Sequence, residues 1–270
     1  MRIAFFLKTT VLLLLLSLAG YPLNLRVADA SPLNPRPLEP LNPVFNPVSI
    51  GERFQGEVLK YDFGFWIFSK VGEGSVTFQS LGHGKYFAAH DGQTVGVVGW
   101  ITRYRKDVYR STMTTVNNGR RLIPLRFEED VIIGTRGGKT VQEEIEIPEG
   151  LLYDDPMTAF YNFRFGVYGK VEPGKKFIIP AVPRKGKEKA IRLAVASREE
   201  AEKRRATEEE KGSKDLFITV QIDPELVGSL RGLVEAWFSS DVVPVSGLAK
   251  GVILFGDIRG KLTHPQSSGK

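Results

Sequence analysis

Residues 51–80 constrain the fold more tightly than any other stretch. Leu59, Tyr61, Phe63, Phe65 and Ile67 alternate, so a strand points all five at one face. The opposite face carries Val58, Trp66 and Phe68, interrupted by Lys60, Asp62 and Gly64. Gly72-Glu73-Gly74 reads as a loop. After it Val76 and Phe78 return on the inner face, with Ser75, Thr77 and Gln79 outside. The pattern is a long β-hairpin with a glycine-containing turn. Such a hairpin does not stand alone in water, so later strands must cover it. A half-covered sheet needs only one apolar face. The second face of this ribbon must therefore be buried or line a cavity.

The chain supplies those strands. Residues 85–90 and 94–98 read as extended. From Gly99 the spacing turns helical: Trp100, Ile101, Tyr104 and Val108 share one side, and Arg103, Lys106 and Arg110 follow on another. A β-branched run over 108–116 ends at Asn117-Asn118-Gly119, a strong hairpin signal, and 122–127 returns from it. A further hairpin joins 131–133 to 141–147. Asp154-Asp155-Pro156 is a helix start: an acidic cap accepts backbone amide hydrogens, and proline fits the first helical position. Met157, Phe160, Tyr161 and Arg164 make the stripe of that helix. Strands resume at 176–179, 191–195, 216–222, 233–238 and 252–262, with a bend at Asp241–Pro244. Residues 197–214 are nearly all charged, with helix-supporting pairs Glu199–Lys203 and Glu200–Arg204, and read as a solvent-exposed insertion. The expected fold class is mainly β (α+β): a curved antiparallel sheet or partly closed β-barrel with one or two short helices.

The ends of the chain are of another kind. Arg2 and Lys8, an apolar centre over 11–16, Pro22 and the small residues Ala28 and Ala30 read as a cleavable signal peptide over 1–30. The apolar run is too short to span a bilayer. Residues 31–50 form a proline-rich extended leader in which Pro-Leu-Asn-Pro occurs at 32–35 and again at 40–43. A single domain over 51–263 follows, then a flexible tail over 264–270. Leu18-Ala19-Gly20-Tyr21 is similar to a lipoprotein box with tyrosine in place of the acylated cysteine. The chain has no cysteine, which excludes cysteine lipidation, disulfides and thiolate metal sites. The 270 residues carry a net charge of +6; Arg2, Lys8 and Arg26 against Asp29 fall in the first thirty, which leaves +4. That is too little for a nucleic-acid-binding signature.

Chemistry is hard to find in the pattern. Gly137-Gly138-Lys139-Thr140 lacks the earlier glycine of a phosphate loop, Ile133 standing in its place, and precedes a strand rather than a helix. His83, His90 and His264 have no metal-ligand spacing, and His90-Asp91 is an ordinary strand-end pair. The carboxylates Glu128-Glu129-Asp130 and Glu143-Glu144-Glu146 read as edge charges. Neither catalytic residues, a metal nor a cofactor is expected.

With these residues in view, the chain resembles an exported bacterial family, domain of unknown function 3108. Gly51-Glu-Arg-Phe with Val58-Leu-Lys-Tyr61 is similar to its opening strand, and Asp155-Pro-Met-Thr-Ala-Phe-Tyr161 to its aspartate–proline helix. Val234-Glu-Ala-Trp-Phe-Ser-Ser-Asp241, followed by Val243-Pro244-Val245, is similar to its closing strands. The resemblance implies an envelope or periplasmic β-rich domain and carries over no catalytic residue.

The resulting expectation is an exported, periplasmic or cell-envelope, non-enzymatic protein that keeps no permanent membrane anchor after signal cleavage. It would bind an amphipathic or lipid-like envelope component in its curved sheet, through Phe65, Trp66 and Phe68, with Arg103, Lys106 and Arg110 at the rim. An assembly or scaffold factor docking envelope proteins is the alternative, and an envelope hydrolase a weaker one.

Overall fold

The computed structural model describes residues 48–134, 141–145, 152–184, 187–206, 215–224, 230–252 and 256–266. All of them fall in one compact unit, Pro35–Lys270. Its strands are β1 (Val58–Phe65), β2 (Phe68–Gly82), β3 (Lys85–Thr94), β4 (Lys106–Val116), β5 (Arg121–Ile132), β6 (Val141–Ile145), β7 (Lys176–Arg184), β8 (Lys187–Val195), β9 (Leu216–Gln221), β10 (Leu233–Phe238), β11 (Pro244–Val252) and β12 (Gly256–Gln266). Short helices are α1 (Ile50–Phe54), α2 (Gly96–Ile101), α3 (Pro156–Phe165) and α4 (Arg198–Ala206).

The strands form a single antiparallel sheet in the order β6-β5-β4-β3-β2-β1-β12-β11-β10-β9-β8-β7. The chain steps outward from β1 to β6, crosses through α3, and steps inward from β7 to β12, which pairs with β1 through Phe63↔Gly260 and Val58↔Gln266. Among the described residues no pairing joins β6 to β7, so the sheet is open. This is the curved antiparallel architecture expected from the sequence.

Helix α3 explains how such a sheet has an interior. Ala159 and Phe163 pack with Ile179, Ile191, Leu193, Ile218 and Phe238 from β7 to β10. Tyr161 packs with Ile50, Phe54, Phe78, Met113 and Leu122 from α1 and β2 to β5. One helix buries side chains against both halves, so the sheet curls around it. Its start is fixed by Asp155, whose carboxylate accepts from the amides of Met157 and Thr158, and its end by Gly166 at φ 83°.

Several sequence expectations shift. The first hairpin turns at Trp66-Ile67, and the loop expected at Gly72–Gly74 is strand. Those glycines serve packing instead. The Phe63 ring lies over a bed of them, and a Cβ on Gly74 would fall 3.0 Å from Phe63 Cε2 and 2.6 Å from the Asp91 carbonyl. The helix expected from Gly99 through Arg110 is α2, which ends at Ile101. Lys106 and Arg110 lie on β4, where β-branched neighbours and pairing with β3 and β5 outweigh the helical spacing. Residues 50–54 are a helix with a Ser49/Glu52 capping box. Strand β11 begins at Pro244 in the expected bend. Among the described residues four short helices stand where one or two were expected.

The charged insertion is only partly solvated. In α4, Ala201 is buried with Phe217 and Trp237, while Arg204 lies 4.3 Å over the Phe217 ring and Arg205 lies 5.4 Å over Trp237. Arginine stems and planes thus supply the apolar cover that the composition lacks. Residues 207–214, the signal segment and nearly all of the leader lie outside the described residues. Among the described residues no helix is long and apolar enough to cross a membrane.

Candidate functional site

An up-and-down sheet collects its connections at two ends, and here the two ends differ in chemistry. At one end lie the β2–β3, β4–β5 and β10–β11 turns, built from Gly82-His83-Gly84, Asn117-Asn118-Gly119-Arg120 and Ser239-Ser240-Asp241-Val242-Val243, and the β8–β9 connection with α4. Glycine, asparagine, serine and aspartate are ordinary turn residues. At the other end lie the β1–β2 turn with Trp66 and Ile67, the β3–β4 connection with α2, the end of β5, and the β9–β10 connection. There the exposed large apolar side chains are Trp66, Ile67, Phe68, Val97, Trp100, Ile101, Tyr104, Ile133 and Leu230, beside the exposed Ser69, Lys70, Arg103 and Arg231. Other exposed apolar residues, Val48, Leu81, Leu125 and Ile178, are scattered singly. The remaining connections at the apolar end lie outside the described residues.

Local geometry holds these segments together. Val95 N donates to the Val71 carbonyl (2.8 Å), which sets α2 beside the start of β2. Gly134 N donates to the Arg103 carbonyl (2.7 Å), and Leu230 N to the Gly251 carbonyl (3.0 Å). Tyr104 folds over Gly99, where a Cβ would meet Tyr104 Cδ1 at 2.9 Å. Trp66 is 77% exposed and Trp100 73%.

The backbone is strained where it presents these groups. Trp66, Arg103 and Tyr104 have φ of 50°, 57° and 52°, a region that favours glycine or asparagine. At the other end His83, Asn117, Asn118 and Val242 are left-handed too, and Val242 packs against the main core. The strain at Trp66 has no comparable burial to offset it.

Of the six expected contact residues, the sheet brings Trp66, Phe68, Arg103 and Lys106 to this one end. Phe65 is half-buried, and Arg110 sits farther down β4 in an ion pair with Asp130 (2.5 Å). Trp66 and Phe68 are exposed at a hairpin tip, by 77% and 46%. The shifted turn is the reason: a loop at Gly72–Gly74 would have placed both in mid-strand. The basic residues share no helix face, because α2 ends before Arg103. The outward apolar end escaped sequence reasoning. Its signal was present in Trp66-Ile67 and Val97 to Tyr104, apolar residues where connections are normally polar.

A cavity of about 20 Å³ lies at the N-terminus of α3, lined by Phe127, Asp154, Asp155, Val182, Lys189 and Asp223 among others, with Lys189 paired to Asp223 at 3.0 Å. That volume suits one water molecule, not an acyl chain. Around it is a dense polar cluster. Asp154 accepts from Arg121 (3.1 Å), Asn162 Nδ2 (2.9 Å) and the Tyr168 hydroxyl, and Asn162 also bonds both the amide and the carbonyl of Leu122 at 2.9 Å.

Burial pushes the Asp154 carboxyl up to about 6 against the opposing pull of Arg121 and Asn162. The unfolded chain releases that proton near pH ~4, so between about 4 and 6 the folded state binds more protons. This contribution is complete below the unfolded pKa and is lost as pH rises through the folded one, by on the order of 2 kcal/mol. Asp155 beside it is raised too, by the same desolvation. His90, lowered by burial, acts in the opposite sense. The difference in melting temperature between the native chain and Asp154→Asn should therefore shrink steadily from pH 4 to 6.5. A difference independent of pH contradicts the assignment.

The other candidates are structural. His90 stacks on Tyr109 (centroids 5.9 Å apart), while Asp91, on the opposite face of β3, accepts from Ser75 Oγ (2.6 Å). Glu129 and Asp130 are buried on β5, and Glu143 and Glu144 pair in register with Glu129 and Glu128 through the backbone. Glu146 and the Gly137–Thr140 turn lie outside the described residues. Among the described residues no group of three His, Cys, Asp or Glu could hold a metal.

No family model matches the chain, and no curated protein does. Two solved structures are similar in outline. One is a β-barrel-like protein of domain of unknown function DUF1849 from Brucella abortus, 10% identical, covering 79% of this chain and 98% of its own, with a TM-score of 0.41. The other is a hypothetical protein from Chlamydia trachomatis, 10% identical, covering 82% of this chain and 95% of its own, with a TM-score of 0.27. Likeness at that level carries no functional argument.

Proposed function

We propose that this is an exported cell-envelope protein that works by binding, without chemistry of its own, and that its contact surface is the apolar end of the sheet. The supporting observation is the contrast between the two ends. Polar turns close one of them, while tryptophan, isoleucine and tyrosine stand exposed in the connections of the other. Relocating the contact from the concavity to the outside keeps the amphipathic character first read from the sequence.

A photo-crosslinking residue placed at position 67, at the apolar end, should capture a cell-envelope component in living cells. The same residue at position 118, at the polar end, should not. Equal capture from both positions, or none from either, ends this reading. The export half has its own test: the protein isolated from cells should begin near Ser31 on N-terminal sequencing. Intact Met1 in the isolated protein rejects it.

A further inference from the structure

We infer that the apolar end is a membrane-docking surface that sinks Trp66, Ile67, Trp100 and Ile101 into the headgroup region of an anionic lipid bilayer. The inference rests on the binding role proposed for this end and names its partner.

Four observations point to lipid rather than a protein pocket. First, the side chains stand clear of their own protein one by one, at 66–77% exposed, as knobs on two adjacent turns. A rigid partner needs a fitted hollow for each knob, whereas a bilayer needs none. Second, the chemistry suits an interface. Indole and phenol rings pair an apolar body with a polar edge and concentrate at headgroup depth. Third, strand order and direction place the β1–β2 turn and the β3–β4 connection at the same end of neighbouring strands, so both can meet one surface. Fourth, charge is ordered behind the tips. In the described segments 64–70, 94–107, 131–134, 222–224, 230–232, 249–252 and 256–258 the basic residues are Lys70, Arg103, Arg105, Lys106, Arg231 and Lys250, against Asp107, Asp223 and Asp257, of which Asp107 pairs with Arg105 at 2.8 Å. The acids that pair with Lys70 and Lys106, Asp62, Glu73 and Asp91, sit farther back along the strands. Long basic stems reach from that row to lipid phosphates.

The test uses the full chain with vesicles of phosphatidylglycerol and phosphatidylcholine in equal parts, carrying brominated acyl chains. Trp66 and Trp100 emission should be quenched, while that of the buried Trp237 persists. Pure phosphatidylcholine should bind more weakly. Trp66→Gly should lower the partition coefficient roughly tenfold or more, the value of one large side chain leaving an apolar medium. Its thermal midpoint should hold or rise, because glycine adopts the φ of 50° without strain. Absence of quenching overturns the lipid assignment, as does equal binding to neutral and anionic vesicles. If vesicles give nothing while position 67 crosslinks a protein, or a second copy of this chain, the lipid inference fails and the docking role of this end survives.

Discussion

Arg164→Ala should destabilise the protein by about 3–5 kcal/mol, the usual consequence of leaving one member of a buried ion pair without its partner. The guanidinium donates through Nη1 and Nη2 to the two carboxylate oxygens of Glu57 at 2.6 and 2.8 Å, and through Nε to the Val242 carbonyl at 2.9 Å. The Arg164 side chain is 2% exposed and that of Glu57 13%. The guanidinium also lies 4.7 Å over Phe54 and 5.0 Å over Phe160. One side chain thereby ties α3 to the corner before β1 and to the β10–β11 turn, elements brought together only when the sheet closes on its helix. Lysine at 164 offers neither the fork nor the plane and should recover little. Glu57→Gln combined with Arg164→Met should cost less than the two single changes added together, because no orphaned charge remains. Urea denaturation measures all of these. A loss under about 1 kcal/mol for Arg164→Ala would mean that the pair is solvated.

Asp155→Ala should be nearly as damaging, at about 3 kcal/mol. Oδ1 accepts from the amides of Met157 and Thr158 at 2.8 and 3.0 Å, and Oδ2 from the Ser111 and Thr158 hydroxyls at 2.5 and 2.9 Å. Alanine leaves those donors without an acceptor in a place where Asp155 is 1% exposed. The damage should spread beyond the helix, since Ser111 belongs to β4. Hydrogen exchange would register faster opening of both β4 and α3. Exchange confined to the first turn of α3 would reduce Asp155 to a local cap.

Much of this architecture was legible beforehand because it is local. Asn117-Asn118-Gly119 takes the left-handed turn its residues prefer, with φ of 55°, 56° and 78°, and Asp155-Pro156 starts a helix by capping alone. Strands β4, β8, β9 and β10 follow from β-branched and aromatic runs. What escaped depends on partners far away in sequence. Gly72 and Gly74 look like turn residues until Phe63 and the neighbouring strands claim the space above them. The helical spacing of Arg103, Lys106 and Arg110 is genuine but yields to pairing with β3 and β5. Arg164 was placed on the correct stripe of α3, yet nothing in the sequence assigns it to Glu57, 107 residues away. The candidate site was half legible. Of the six residues that the sequence groups, Trp66, Phe68, Arg103 and Lys106 share one end, while Arg110 sits farther down β4. The exposure of Trp66 and Phe68 depends on a turn six residues earlier than expected.

The central claim is that this protein binds with its outside and not with its hollow. Native mass spectrometry of the purified chain and of Trp66→Gly tests it most directly. The account predicts the bare polypeptide mass for both once detergent and vesicles are removed, because the proposed contact side chains stand exposed on the outside. A lipid retained one-to-one, and retained equally by Trp66→Gly, would place the ligand inside the sheet and contradict it.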